Sequence, residues 1–387
     1  MPIGAFTKPS LGYLATNMPA RVPTLLDLPT PPPGRTGWPW DVSSDLSPQL
    51  CRGQLWPRIS IVTPSFNQGH FIEETIRSVL LQGYPNLEFI VIDGGSKDGT
   101  VEILRKYSAW IDFWVSEPDG GQSDAINKGL ARCSGNIFNW LNSDDYLAKG
   151  ALSRVAESFQ SSPTATLVSG ELRIFGSGAD RIHICNKPQT RIEGIVCSGF
   201  WQPSVFWRIN ALRPLLPLEQ HIHYYMDFDL YTRHFLANGV DGVAYINDLL
   251  AHFREHRGSK SQSQQESFTA DMIGYVKAIA RESSLDTIVA CANKFGCKAL
   301  HEDFRVRGEW SALKKQELYD ILFGLLLPYI VNLRSAAIYK RLLAVVAMRK
   351  IDPEAKRLID SHPHLVKAAR YRSWFLYRFV RRLRHGC

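Results

Sequence analysis

Between Pro57 and about Leu147, short apolar runs alternate with segments of helical period. ISIVT (59–63) is apolar and β-branched, the pattern of a strand covered on both faces. FIEETIRSVLLQG follows with Ile72, Ile76, Val79 and Leu80 on one helical face, and Gly83 ends it. EFIVI (88–92) predicts a second buried strand, TVEILRKY a short helix, DFWV a short strand, SDAINKGLARC a helix over 122–132, and NIFNWL (136–141) a strand. This order predicts a Rossmann-like α/β fold, with a mostly parallel sheet, right-handed crossovers and flanking helices. Such sheets take ligands beyond the carboxyl ends of their strands. Three polar loops fall there: TPSFNQG, DGGSKDG and NSDD.

The last of these loops sets Asp144 beside Asp145 at the end of an apolar run. One reading is a helix N-terminus with an acidic first turn, since AKGALSRVAESF comes next. The other is a divalent cation that both carboxylates face. Mg²⁺ and Mn²⁺ prefer hard oxygen ligands and keep positions open for phosphate oxygens.

The ordered set TPSFNQGHFIEETIRSVLLQGYPNLEFIVIDGGSKDGTVEIL and DGGQSDAINKGLARCSGNIFNWLNSDDYL resembles the family 2 glycosyltransferases, enzymes of GT-A type fold that use nucleotide sugars. The likeness is dense from Ile59 to Leu147 and looser to about Lys260. It implies an inverting, metal-dependent transfer of a hexosyl or related group. The donor would be a nucleotide diphosphate sugar of UDP or GDP type. The acceptor would be a hydroxyl of a sugar or lipid-linked sugar, in surface polysaccharide or glycolipid synthesis.

By this resemblance NSDD is the DxD-type site, with Mn²⁺ or Mg²⁺ as cofactor and Asp145 ahead of Asp144 as the direct ligand. Asp144 would also border the donor. Asp93 is expected at the donor's base or ribose, with an Asx-turn as its plainer role. Phe66 would lie against the base, Pro64 and Ser65 would shape that loop, and Gln122 would border the donor from the start of its helix. The catalytic base maps to Asp227 in HYYMDFDLYTRHF, with Asp229 behind it; Met226 stands where the family carries a glutamate. The simpler role for Asp227 is a cap on the helix running to about Leu236. Trp201 and Gln202, in GFWQPSVFWR, are expected to face the acceptor. His256, in REHRGSK, would reach the metal or diphosphate.

Three regions result: a proline-rich arm over 1–57, the transferase domain over 58–262, and a helical region over 263–387. The arm holds half of the prolines and little periodicity, yet Trp38, Trp40 and Trp56 favour its packing down. The net charge of +8 is gathered in the last stretch, where Lys367, Arg370, Arg372, Arg378, Arg381, Arg382 and Arg384 stand with no acid. Plotted as a helix, that tail is amphipathic and suited to an anionic membrane surface, or to docking on its own core. Charge confined to one tail excludes a general nucleic-acid surface. VIDGGSKDG lacks the glycine pattern of a nicotinamide-binding turn. Seven scattered cysteines without ligand spacing predict free thiols in a reducing cytoplasm. The N-terminal residues predict no signal peptide, and the apolar run 321–331 is too short to span a bilayer. The competing class is a non-catalytic membrane-surface protein with a degenerate sugar-nucleotide domain.

Overall fold

The computed structural model describes residues 6–7, 22–45, 55–185, 187–197, 199–294, 298–300 and parts of 304–326. The basic tail and most of the apolar run 321–331 lie outside the described residues. The chain divides into two compact units, Met1–Gln189 with Ser198–Ser263, and Thr190–Cys197 with Gln264–Cys387.

The strands of the first unit are β1 (Phe6–Thr7), β2 (Ile59–Ser65), β3 (Leu87–Asp93), β4 (Phe113–Ser116), β5 (Ile137–Trp140), β6 (Tyr146–Leu147), β7 (Leu167–Gly176), β8 (Arg181–His183), β9 (Val205–Arg208) and β10 (Val243–Glu255). Among the described residues they form one sheet in the order β1-β4-β3-β2-β5-β9-β7-β10-β6, with β8 on β7. β4, β3, β2 and β5 run parallel, as does the long pair β7–β10. β9 is antiparallel to both its neighbours and joins these two halves. The helices of this unit are α1 (Ile72–Leu80), α2 (Thr100–Tyr107), α3 (Gln122–Leu130) and α4 (Ala151–Ser161). The second unit contributes α5 (Arg191–Cys197). The first unit then adds α6 (Ile209–Leu212), α7 (Met226–Asn238) and α8 (Lys260–Ser263). α9 (Gln265–Glu282) and α10 (Asp286–Lys294) belong to the second unit, where Met272, Ile273, Val276, Ile279 and Ile288 are buried.

Every residue of β2 is buried, because helices cover both faces of the sheet. Ile59 and Ile61 join the core formed with Ile72, Ile76, Val79 and Leu80 of α1, Leu104 and Tyr107 of α2, and Val155 and Phe159 of α4. Val62, on the opposite face by the two-residue alternation, meets α3 at Gly129. A Cβ at Gly129 would overlap the Val62 side chain, so this glycine sets how closely α3 approaches the sheet.

Residues 22–45 are irregular, as their prolines dictate, but they pack. Trp40 is buried, and Leu28 enters the core with Ile76 and Leu80. The tie is Arg77 of α1, whose buried guanidinium donates to the carbonyls of Pro29 (2.8 Å), Pro39 (3.1 Å) and Trp40 (2.7 Å) and to the Tyr107 hydroxyl (3.0 Å). Three orphan carbonyls of a proline-rich chain, which cannot form a ladder, are thereby satisfied.

Gly129→Ala should lower stability by about 1–2 kcal/mol, the overlap with Val62 outweighing the helix-propensity gain of roughly 1 kcal/mol. Urea unfolding of the two proteins measures it.

Candidate active site

The turn after β5 closes when the Asp145 amide donates to the Asn142 carbonyl at 3.1 Å. Helix α1 and the turn that follows it grip residues 143–152. The Thr75 hydroxyl stands 2.6 Å from the Asp145 carbonyl and 3.0 Å from that of Ser143. Ser78 accepts from the Leu147 amide (3.1 Å), and Gln82 bonds the Ala148 carbonyl (3.0 Å) and the Leu152 amide (3.2 Å). Thr75 and Ser78 share a face of α1 and Gln82 lies in the turn just past its end, so the helix and its C-terminal turn hold the whole stretch. Helix α4 starts only at Ala151, with Gly150 at its N-cap. The two aspartates therefore cap no helix, and that reading of the pair falls.

The two carboxylates point differently. Asp145 is 1% exposed. Its Oδ1 accepts from the Arg254 amide at 2.9 Å, just past the last β6–β10 pair, His252 with Tyr146. A side-chain oxygen thus replaces the next rung of the ladder. Its Oδ2 is buried with no hydrogen-bond partner. Burial and, after it, the charge of Asp144 hold the Asp145 carboxyl well above the usual carboxylate range. Asp144 faces outward, its Oδ2 3.0 Å from Nε2 of His256. The Gly258 amide donates to His256 Nδ1 (3.2 Å), which assigns the ring proton to Nε2 and makes that nitrogen the donor to Asp144. The imidazole packs on Phe71 at 4.7 Å. Sequence reasoning ranked Asp145 first as metal ligand; the geometry brings Asp144, not Asp145, to His256.

Arg254 organises this corner and was missed in the sequence. Its Nε donates to the Asp144 carbonyl (3.0 Å) and its Nη2 to Glu74 of α1 (2.8 Å). The guanidinium lies over the rings of Phe175 (4.6 Å), Phe71 (5.0 Å) and Tyr146 (5.8 Å). Its signal was the spacing of His252, Arg254 and His256, the first two on β10, a strand that the sequence does not disclose, and the third just past its end.

Gln122, at the start of α3, donates to Asn142 Oδ1 (2.8 Å) and accepts from Lys260 Nζ (3.1 Å). Lys260 also reaches the His223 carbonyl at 3.5 Å. Next to Gln122, the Ser123 hydroxyl bonds the sulfur of Met226, the first residue of α7. Met226 is buried, so a packing contact occupies the family's glutamate position. This chain of contacts brings NSDD, α3, α8 and the start of α7 to one rim. Asp227 follows Met226, half-buried, and accepts from the Phe228 amide at 2.9 Å. Loss of hydration pushes its carboxyl up to about 6.

Asp229 does not share that fate. Two residues on in a helix turn a side chain by about 200°, and Asp229 points into the core. It pairs with Arg233 at 2.6 Å, both side chains almost fully buried. Arg233 in turn bonds the carbonyls of Leu215 and Pro217. The expected reserve base is thus half of a buried ion pair that holds the 213–217 loop.

The first two strands supply the other expected residues. Asp93 is fully buried, and its carboxylate accepts from the Ser96 amide (2.9 Å), the Ser96 hydroxyl (2.5 Å) and the Ser116 hydroxyl (2.6 Å). That is the Asx-turn role: the carboxylate is occupied by the loop, not presented to a ligand. Pro64 and Ser65 pair with Ile92 and Asp93 and are buried. Phe66 beyond them is 60% exposed, an unusual state for a large ring next to a fully buried strand. Gln202 turns inward and donates to the Trp140 carbonyl, so it faces no acceptor. Trp201 is partly buried, edge-on to Phe253 at 5.0 Å and tilted on His183 at 5.5 Å.

Residues 60–213 match the family model for Glycosyl transferase family 2. The chain carries a family 2 glycosyltransferase domain. Over 90 residues it is 43% identical to an uncharacterised glycosyltransferase of Mycobacterium tuberculosis, covering 23% of this chain and 34% of that one. Over 105 residues it is 39% identical to Bacillus subtilis TuaG, named as a putative glycosyltransferase of teichuronic acid biosynthesis, covering 26% and 41%. The match thus spans well under half the length of these relatives. In three dimensions the chain resembles S. aureus TarS 1–349, with a TM-score of 0.51 at 17% identity over 85% of this chain and 92% of that one. The same TarS fragment has also been solved with UDP-GlcNAc. The architecture is the GT-A fold.

Among the described residues no group of three or more His, Cys, Asp or Glu side chains converges closely enough to hold a metal ion. Two groups of suitable chemistry do meet, Asp144 and His256, and beside them lies the unpartnered buried Oδ2 of Asp145. A hard divalent cation fits this partial set if phosphate oxygens complete it.

Asp229→Ala leaves Arg233 charged and alone in the core, and should cost about 3–5 kcal/mol. Asp227→Asn removes a carboxylate whose burial opposes its charge, and at neutral pH should unfold at a urea concentration higher than the wild type's. Denaturation midpoints of the two variants separate the neighbouring acids.

Proposed function

We propose that the protein transfers a hexosyl or related group, with inversion, from a nucleotide diphosphate sugar to a hydroxyl of a sugar or lipid-linked acceptor. The synthesis of a surface polysaccharide or glycolipid is the setting this reading favours. The observation that carries it is the outward Asp144–His256 pair beside the desolvated Asp145, at the sheet rim of a family 2 domain. Asp144 would hold Mn²⁺ or Mg²⁺, and His256 would join it only with the ring proton moved off Nε2; the metal, when bound, would offset the charge of the diphosphate. Asp145 anchors the turn through the amide of Arg254. Phe66, the exposed ring at the mouth, stacks on the donor's base; Gln122 and Lys260 border the diphosphate side. Asp93 keeps the 93–96 loop in shape beneath them.

Asp227 serves as general base. The acceptor oxygen attacks the anomeric carbon, its proton passes to the Asp227 carboxylate, and the bond to the diphosphate breaks with its electron pair on phosphate. A carboxyl whose ordinary value is near 4 would be too weak a base for a hydroxyl; one raised to about 6 is ionised at neutral pH and more basic. Trp201 offers the acceptor an apolar wall. UDP-GlcNAc, which TarS binds, is the first donor to try.

Purified protein should release nucleoside diphosphate from the right nucleotide sugar only with Mn²⁺ or Mg²⁺ present. Asp144→Asn should abolish that release with the fold intact. Asp227→Asn should keep donor binding and lose roughly a hundredfold or more in transfer. The wild-type rate should fall tenfold per pH unit below about 6, since only ionised Asp227 accepts a proton. A wild-type rate in Asp227→Asn removes that residue from the mechanism. No binding of metal or any nucleotide would favour the degenerate binding protein instead.

The basic tail is proposed to hold the enzyme at the inner face of a membrane, where lipid-linked acceptors lie. Full chain should co-sediment with phosphatidylserine vesicles and protein ending at Leu365 should not; equal sedimentation sinks this idea.

A further inference from the structure

We propose that the proline-rich arm, residues 22–45, is a positioning element of the transferase site, acting through Trp38. The inference rests on the function proposed above and concerns residues outside the matched family stretch, which begins at residue 60.

The indole Nε1–H of Trp38 donates to the Leu147 carbonyl at 2.8 Å, two residues past Asp145. Three residues further, the Gly150 amide donates to the Ser44 hydroxyl at 2.9 Å, and the Ser44 amide donates to the Leu81 carbonyl at 3.0 Å. The arm therefore spans from the end of α1 to the segment that comes after the aspartates. Leu147 is the hinge of this arrangement. Its amide is held by Ser78, its carbonyl by Trp38, and it pairs with Ala251 of β10. β10 then continues through Arg254 and ends at Glu255, just before His256; Arg254 and His256 are the partners of Asp145 and Asp144. A displacement of Leu147 would be passed to both carboxylates and to the imidazole.

The helix between arm and turn is loaded from two sides. Thr75 holds the turn, while Arg77, about 200° around the same helix, holds the arm. Two like charges in a desolvated turn repel, and Thr75, Arg254 and His256 oppose that push at the turn itself. The arm adds bonds from the far side. A mere cover over an apolar surface needs no N–H aimed at the carbonyl of Leu147.

The test uses the full chain with Trp38→Phe, which keeps an aromatic ring and removes one N–H. Three quantities are measured: amide hydrogen exchange over 143–148, Mn²⁺ affinity by electron paramagnetic resonance, and the Mn²⁺ dependence of diphosphate release. Exchange should quicken over 143–148. The Mn²⁺ dissociation constant should rise about two- to tenfold, the worth of one hydrogen bond. kcat at saturating Mn²⁺ should fall less than the affinity does. Faster exchange with unchanged Mn²⁺ affinity overturns the proposal, because the arm would then be structural only. Weaker Mn²⁺ binding with unchanged exchange also overturns it, because Leu147 would not be the route. Neither outcome touches the proposed reaction; a wild-type chain that binds neither Mn²⁺ nor Mg²⁺ sinks both. Should Trp38→Phe fail to fold, Ser44→Ala takes the same three measurements with the same criteria.

Discussion

Two adjacent carboxylates at the end of a buried strand repel each other, and most of the surrounding architecture restrains that repulsion. In water the cost would be small; in a turn where Asp145 is 1% exposed, it is not. Arg254 answers it with charge, placing a guanidinium against the Asp144 carbonyl and Glu74 under three aromatic rings. Helix α1 and the turn past its end answer it with geometry, through Thr75, Ser78 and Gln82. These restraints fix where the two carboxyl groups sit.

The same contest between burial and charge governs α7. Its first turn carries two acids, and helix geometry alone separates their work. Asp229 faces inward and is paired with Arg233, so its charge serves the fold. Asp227 is deprived of water without being given a cation, so its proton affinity rises. A base that must take a proton from a hydroxyl needs that second environment, which stabilises nothing by itself. The stability lost at Asp227 is made up elsewhere, in the sheet core and in buried pairs such as Asp229–Arg233.

The arm shows how an irregular segment becomes part of a rigid domain. Its prolines withhold amide donors, so it cannot add a strand; its carbonyls must be met by side chains. Arg77 meets three of them from one buried position.

The amino-acid pattern determined the first half of the sheet almost residue by residue. Strands β2, β3 and β5 and helices α1 to α3 are continuous apolar runs or clean helical stripes, and local pattern is enough to define them. It also singled out NSDD, because a ligand rim follows from strand order. Tertiary structure decided the rest. Strand β10 mixes buried and exposed residues, shifts register beside β7, and so has no readable period. Which aspartate of a pair faces outward depended on a ladder bond from Arg254, more than a hundred residues away. Whether Asp93, Gln202 and Asp229 meet a ligand or the core depended likewise on Ser116, Trp140 and Arg233. A sequence states which groups are available; the direction in which each carboxylate points is set by partners that only folding brings near.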